Sequence, residues 1–328
     1  MTEQTPATPS LTDRLTSEAS ALAYRAGWAV TRLLPQQVAD RLFDTIADVA
    51  SHQGVGPEQL RANLGRVVGD ANVTRRLVRD SMRSYLRYWK EAFRLPSMSG
   101  PDKVADLTAT LRAGFAPADI ERLAAAHARG RGVVLTLPHS GNWDMAGVWL
   151  VNTFGQFTTV AERLKPESLF EAFVDYRESL GFEVLPLSGG EQPPFARLRE
   201  VLRGGGIVCL LGERDLSGKG VEVDFFGERT SMPAGSCRLA QETGAAVIPV
   251  HSYFTDGGWG FVIGEEIDST LPLTEMVQQQ ADQFAANIAA HPADWHMLQP
   301  LWFGDLSDRR RRILGLDDTD GTAGGDRA

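Results

Sequence analysis

Cysteine is scarce in this chain. Cys209 and Cys237 are the only two in 328 residues, so there is no disulfide framework and no paired metal-ligand spacing, and both are expected to be small buried hydrophobes. Long apolar runs are missing as well. The nearest approach, Ala19 to Leu34, is broken by Arg25 and Arg32 and falls short of the roughly 20 apolar residues that cross a bilayer. Met1 to Leu11 is polar and carries Pro6 and Pro9, without the basic head and apolar core of a secretory signal, so no export is expected. There is no excess of positive charge either. The 33 Lys and Arg stand against 42 Asp and Glu, a net charge of −9, which argues against nucleic acid as a partner. Finally, the chain has no G-x-S-x-G elbow, which removes the usual serine nucleophile, and no internal repeat.

What is present, at 43% hydrophobic and 23% charged residues, suffices for one large globular domain. Ser17 to Ser51 has helical periodicity with Pro35 dividing two helices. Residues 61 to 94 hold nine Lys and Arg against three Asp and Glu. At about 100° per residue, Arg76, Arg79, Arg83, Arg87, Lys90 and Arg94 form one stripe beside an apolar face of Val78, Met82, Tyr85, Leu86, Trp89 and Phe93. Such a helix either packs on a core with its charged side in water or lies in an anionic membrane interface.

Beyond this, helical patterns at Asp106 to Arg112 and Pro117 to Arg129 lead into an apolar strand that ends at Pro138, which cannot donate to a ladder. Strands and helices then alternate. Helices are expected at Trp143 to Asn152, Pro166 to Leu180, Pro194 to Arg203, Pro233 to Glu242 and Leu273 to Ala290. Strands are expected at Phe157 to Val160, Phe182 to Leu187, Ile207 to Leu211, Ala246 to Phe254 and Trp259 to Ile263. This order predicts an α/β fold, a mostly parallel central sheet flanked by helices, with an N-terminal helical annex over 17–100. The expected organisation is a single domain over 17–316 between disordered ends, 1–16 and 317–328.

His139 follows the strand end, where open α/β sheets keep their ligand sites, and Asp144 follows five residues later. A histidine titrates where neutral-pH proton transfer needs it, and a carboxylate orients its ring. On a continuous helix the two would stand about 140° apart at ~100° per step, so they meet only if Ser140-Gly141-Asn142 turns, as Gly and Asn permit. Glu213 likewise follows an apolar strand, and two strand ends can share one cleft. Three readings stay open on these residues: a base that deprotonates a substrate directly, a metal-dependent hydrolase liganded by His139, Asp144 and Glu213, or a membrane-binding scaffold whose histidine is structural.

The block His139-Ser140-Gly141-Asn142-Trp143-Asp144 resembles the H-x-x-x-x-D/E motif of the glycerolipid acyltransferase superfamily. The resemblance is closest to its lipid A lauroyltransferase-type branch. It continues through Phe170 to Pro186, Gly212-Glu213-Arg214-Asp215, Phe225 to Thr230 and Leu239 to Val250, and covers most of the chain. Ala161-Glu162-Arg163-Leu164-Lys165-Pro166 and the Asp at 144 look like the actinobacterial phosphatidylinositol mannoside acyltransferases.

The resemblance implies an acyltransferase-like fold and an acyl-CoA-dependent O-acyltransferase. It would move palmitoyl from palmitoyl-CoA to a mannose hydroxyl of a phosphatidylinositol mannoside, at the cytoplasmic face of the inner membrane as a peripheral protein. Another glycolipid or a lysophospholipid is the alternative acceptor. By the same resemblance His139 is the general base and Asp144 orients it, Glu213 and Glu162 hold sugar hydroxyls, and Arg177 pairs with a phosphate. Lys219 and Arg229 would reach CoA phosphates, and a backbone amide following the strand would serve the oxyanion. No cofactor or metal is implied, acyl-CoA being the donor substrate.

Overall fold

The computed structural model describes residues 27, 30–163, 167–190, 193–314 and 316. The two ends expected to be disordered, 1–16 and 317–328, lie outside them, as do residues 17–26 of the helix expected there.

Six strands form the main sheet: β1 (Val133–Leu137), β2 (Phe157–Ala161), β3 (Glu183–Pro186), β4 (Ile207–Leu211), β7 (Ala246–Thr255) and β8 (Gly258–Ile263). Their order is β3-β2-β4-β1-β7-β8, and every pair is parallel except β7 with β8. The mixed α/β architecture with a mostly parallel sheet is therefore the one the alternating pattern predicts. A separate antiparallel hairpin, β5 (Val221–Phe225) and β6 (Glu228–Met232), was not anticipated. Its chemistry is regular: Val223 and Phe225 are buried between exposed Glu222 and Asp224, and Phe226 and Gly227 turn with φ of 55° and 77°, the positive pair that a tight hairpin turn requires.

β1 lies at the centre, paired on both edges, and buries both faces. Val133 and Leu135 join one core, Val134 the other, the alternation a pleated strand imposes. The first core is roofed by helices that include Val104–Arg112, Pro117–Ala128 and Trp143–Phe154, here α4, α5 and α6, and by α7 (Glu167–Ser179). The second is covered by α8 (Pro194–Arg203), α9 (Gly235–Thr243), α10 (Leu273–Ala290) and the hairpin. The segment ends with a short helix, α11 (Asp308–Ile313).

The N-terminal annex consists of α1 (Gln36–Ala50), α2 (Glu58–Val68) and α3 (Arg75–Met98), packed around Leu60, Leu64, Val78 and Met82. Four of the six cations in the basic stripe of α3 are held by partners elsewhere in the fold. Arg83 forms a two-pronged pair with Asp48 at 2.8 and 2.7 Å, and Lys90 holds Asp40 at 2.5 Å. Arg87 binds Glu91 and the carbonyls of Thr255 and Gly258, and Arg94 binds those of Thr31 and Leu34. These cations fasten the annex to itself and to β7 and β8. The exposed apolar surface lies instead on α1, where Val38, Leu42, Ile46 and Val49 are 44–66% exposed and fall within about 80° at 100° per residue. Among the described residues, no helix is long and apolar enough to cross a membrane.

Candidate active site

The parallel register of β1 and β4 builds the site. Leu137 pairs with Leu211, so the residues two further along each strand, His139 and Glu213, emerge side by side. Glu213 Oε1 accepts from the His139 backbone N–H at 2.5 Å and lies 2.7 Å from ring Nδ1. An oxygen that already accepts from an amide acts as acceptor for the ring too, so in the neutral ring Nδ1 carries the proton and Nε2 holds the lone pair. The histidine side chain is 30% exposed and the glutamate fully buried, which leaves Nε2 as the end of the pair that can meet a substrate.

The turn after β1 is fixed on every side. Ser140 N–H donates to Pro138 O, Gly141 N–H to Asp294 O, and His296 N–H to His139 O at 2.7 Å. Gly141 has φ 51°, and a Cβ there would come within 2.5 Å of the Ser252 backbone, so only glycine fits. The expectation of a backbone amide after the strand as oxyanion donor is corrected for the first three positions: the amides of His139, Ser140 and Gly141 all have internal acceptors.

Asp144 is brought near this turn, but it does not orient the histidine. Asn142 caps α6, its Oδ1 accepting from Met145 N–H at 3.2 Å. Asp144, in the first turn of that helix, is thereby carried inward, away from the extended segment that bears His139. Its carboxylate is taken by Arg177 Nε at 2.9 Å and by Tyr88 Oη at 3.3 Å. Burial is the largest single influence and works against the Arg177 charge, but the Asp144 charge and hydrogen bond, together with Tyr88 and Tyr176, outweigh it and hold the guanidinium above its ordinary range. Burial, and then the Asp144 charge, pushes the Tyr88 hydroxyl well up. Arg177 is thus committed to a buried pair instead of standing free for a phosphate. Asp144, turned to Arg177, does not join His139 and Glu213 in the ligand set imagined for a hydrolase. Among the described residues no cluster of three His, Cys, Asp or Glu side chains is arranged to hold a metal.

From His139 a cavity of about 330 Å³ runs into the first core. Its polar end carries His139, Glu162, Arg214 and Gln299, and its walls include Phe115, Leu123, Trp149, Leu150, Phe157 and Phe182. Glu162 is therefore at the site, exposed just past the end of β2. Lys219 and Arg229 are not among the lining residues. Lys219 is exposed ahead of β5, and Arg229 on β6 pairs with Glu222 across the hairpin. The sequence missed the partnership of Glu213 with the ring, although the signal was present: both residues stand two positions beyond an apolar strand. It also missed Tyr88 and the network of Glu91, whose Oε2 accepts from Asn142 Nδ2 and Trp259 Nε1, each at 2.7 Å, tying the helix α3 to the motif.

Comparison with known proteins gives the family. Residues 10–303 match the model of a family described as bacterial lipid A biosynthesis acyltransferase. A protein of Mycolicibacterium smegmatis named phosphatidylinositol mannoside acyltransferase is 56% identical over 297 residues, 90% of this chain and 95% of that one. One of the same name from Mycobacterium tuberculosis H37Rv is 54% identical over 303 residues, 92% of this chain and 94% of its own. The chain therefore belongs to the bacterial lipid A biosynthesis acyltransferase family and is an acyltransferase.

Proposed function

We propose that this acyltransferase moves a palmitoyl chain from its CoA thioester to a mannose hydroxyl of a phosphatidylinositol mannoside. The observation that carries the reading is the single cavity shared by a histidine with a free Nε2 and a long apolar wall. The acyl chain lies in the apolar part, where each buried methylene contributes about 0.8 kcal/mol, and the thioester carbonyl comes to rest beside His139. Nε2 takes the proton of the attacking hydroxyl, and Glu213 stabilises the imidazolium through Nδ1–H without accepting the proton itself. The tetrahedral intermediate collapses with loss of the CoA thiolate, which His139 protonates. Glu162 and Arg214, at the polar end, meet the acceptor sugar. Asp144 and Arg177 hold α6, α7 and α3 in place beneath it. The acceptor is drawn from the relatives' name and from the polar mouth.

The enzyme works at the cytoplasmic face of the inner membrane, as a peripheral protein. The exposed apolar stripe of α1, flanked by exposed Arg32 and Arg41, supports an interfacial attachment to anionic lipid.

The purified protein mixed with palmitoyl-CoA should release free CoA only when phosphatidylinositol mannoside is added, and the mannoside should gain one palmitoyl group by mass. Acylation of a different polar lipid but not the mannoside would overturn the acceptor and leave the reaction class. CoA release at the same rate without any acceptor would overturn the transfer itself.

A further inference from the structure

We infer that Gln280 is a positioning residue for the His139–Glu213 pair, acting through the peptide that joins Gly212 to Glu213. The inference rests on the reading of that pair as the reacting base. Gln280 is fully buried on α10, among Met276, Val277, Ala281 and Phe284. An amide in such a row is costly unless its groups are bonded, and here both ends are used. Nε2 donates to Gly212 O at 2.9 Å, and Oε1 receives the Cys237 thiol at 3.9 Å.

Gly212 O is the carbonyl of the peptide unit leading into Glu213, so the Gln280 amide fixes the plane from which the Glu213 side chain springs. On the preceding peptide unit, Gly212 N–H donates to Leu137 O at 2.8 Å. Glu213 is therefore set from two sides, by the strand that carries His139 and by α10. There is no room for a side chain between these holds. A Cβ at position 212 would stand 2.3 Å from Thr136 Oγ1 and 3.0 Å from Gln280 Nε2. The carboxylate itself is lightly held: Oε1 serves both His139 donors, while buried Oε2 has no hydrogen-bond partner among the described residues. Its aim is consequently decided at the backbone end, where Gln280 acts, and catalytic groups need placement within about 0.5 Å.

The test uses Gln280→Met, which keeps the side-chain length and removes the amide donor. Two readouts are taken on the full-length protein. The first is the far-downfield proton resonance of His139 Nδ1–H, assigned by its loss in His139→Gln and its displacement in Glu213→Gln. The second is steady-state transfer. The expected result is a shifted or broadened resonance and a kcat lowered by up to about 10²-fold, with KM for the acyl donor unchanged because no cavity wall is altered. A resonance of unchanged position and width, or an unchanged kcat, would overturn the inference. If Gln280→Met does not fold by circular dichroism, Gln280→Leu, which also lacks the amide donor and carries no charge, is read in the same way. The resonance needs no substrate, so failure of wild-type protein to acylate the mannoside would count against the proposed function and leave the positioning role standing or falling on the spectrum.

Discussion

Replacing Asp144 by Asn removes one charge from a pair closed off from water. Asp144 is 1% exposed and the Arg177 side chain 16%, and two guanidinium contacts of 2.9 and 3.4 Å join them. The Arg177 charge left behind has no other acidic partner within salt-bridge distance among the described residues. Breaking a buried pair from one side costs about 3–5 kcal/mol, a large part of the roughly 5–15 kcal/mol that keeps a domain folded. Removing both charges, as Asp144→Asn with Arg177→Met, should recover most of that loss, since packed neutral replacements of buried pairs are often tolerated. Urea unfolding of the four proteins gives the answer as midpoints at constant slope. The expected coupling is on the order of 2 kcal/mol or more, within the range seen for residues in contact. Additive losses, with the double variant at the sum of the singles, would refute the account of Asp144 as half of a structural pair. A kinetic corollary distinguishes it from the role the motif suggested. At a temperature where Asp144→Asn is folded, its kcat should fall much less than that of Glu213→Gln, because Asp144 does not touch the histidine ring.

Acid sensitivity should come from two histidines behind the site. Burial pushes both His251 and His296 down to about 3, with His291 adding to the first and His139 to the second. The unfolded chain protonates each near 6.5, so between about 3 and 6.5 it binds more protons than the folded one. Stability is then fully present above about pH 6.5 and falls by about 1.4 kcal/mol per pH unit per histidine below it; His251→Asn should reduce that slope by one proton, and an unchanged slope would contradict it. Ala146→Phe, placed in the cavity wall, should slow long-chain donors more than short ones, since each methylene kept out forfeits about 0.8 kcal/mol; an unchanged ratio of hexadecanoyl to octanoyl transfer would refute the assignment of the cavity. Leu42→Ser with Ile46→Ser should weaken binding to anionic vesicles, while Arg83→Ser should chiefly lower the unfolding midpoint through loss of its Asp48 pair; the reverse pattern would return the membrane contact to the basic stripe of α3.

Much of the fold was legible because its elements are locally consistent. Ile207 to Leu211 is an uninterrupted apolar strand, and Leu273 to Ala290 keeps helical periodicity throughout, so neighbours did not have to be known. The hairpin at Val221 to Met232 was harder, because Gly218 and Gly220 precede it and its strands are five residues long and half polar. The site was legible by type but not by pairing. Whether Asp144 or Glu213 meets His139 depends on the register of β1 against β4, a contact across 74 residues of chain that no local spacing encodes. The same holds for the arginines of α3. Their stripe is real, but Asp40 and Asp48, which neutralise two of them, lie on another helix, so part of a face that looks cationic in sequence is internally paired in the fold.

In the proposed reaction His139 removes the proton of the acceptor hydroxyl with Glu213 holding its ring. Single-turnover transfer from palmitoyl-CoA to the mannoside by His139→Ala, Glu213→Gln and wild-type protein tests it most directly. A loss of about 10²–10⁴-fold is expected for His139→Ala, with a smaller but clear loss for Glu213→Gln and unchanged binding of the acyl donor in both. Transfer by His139→Ala at near the wild-type rate would contradict it.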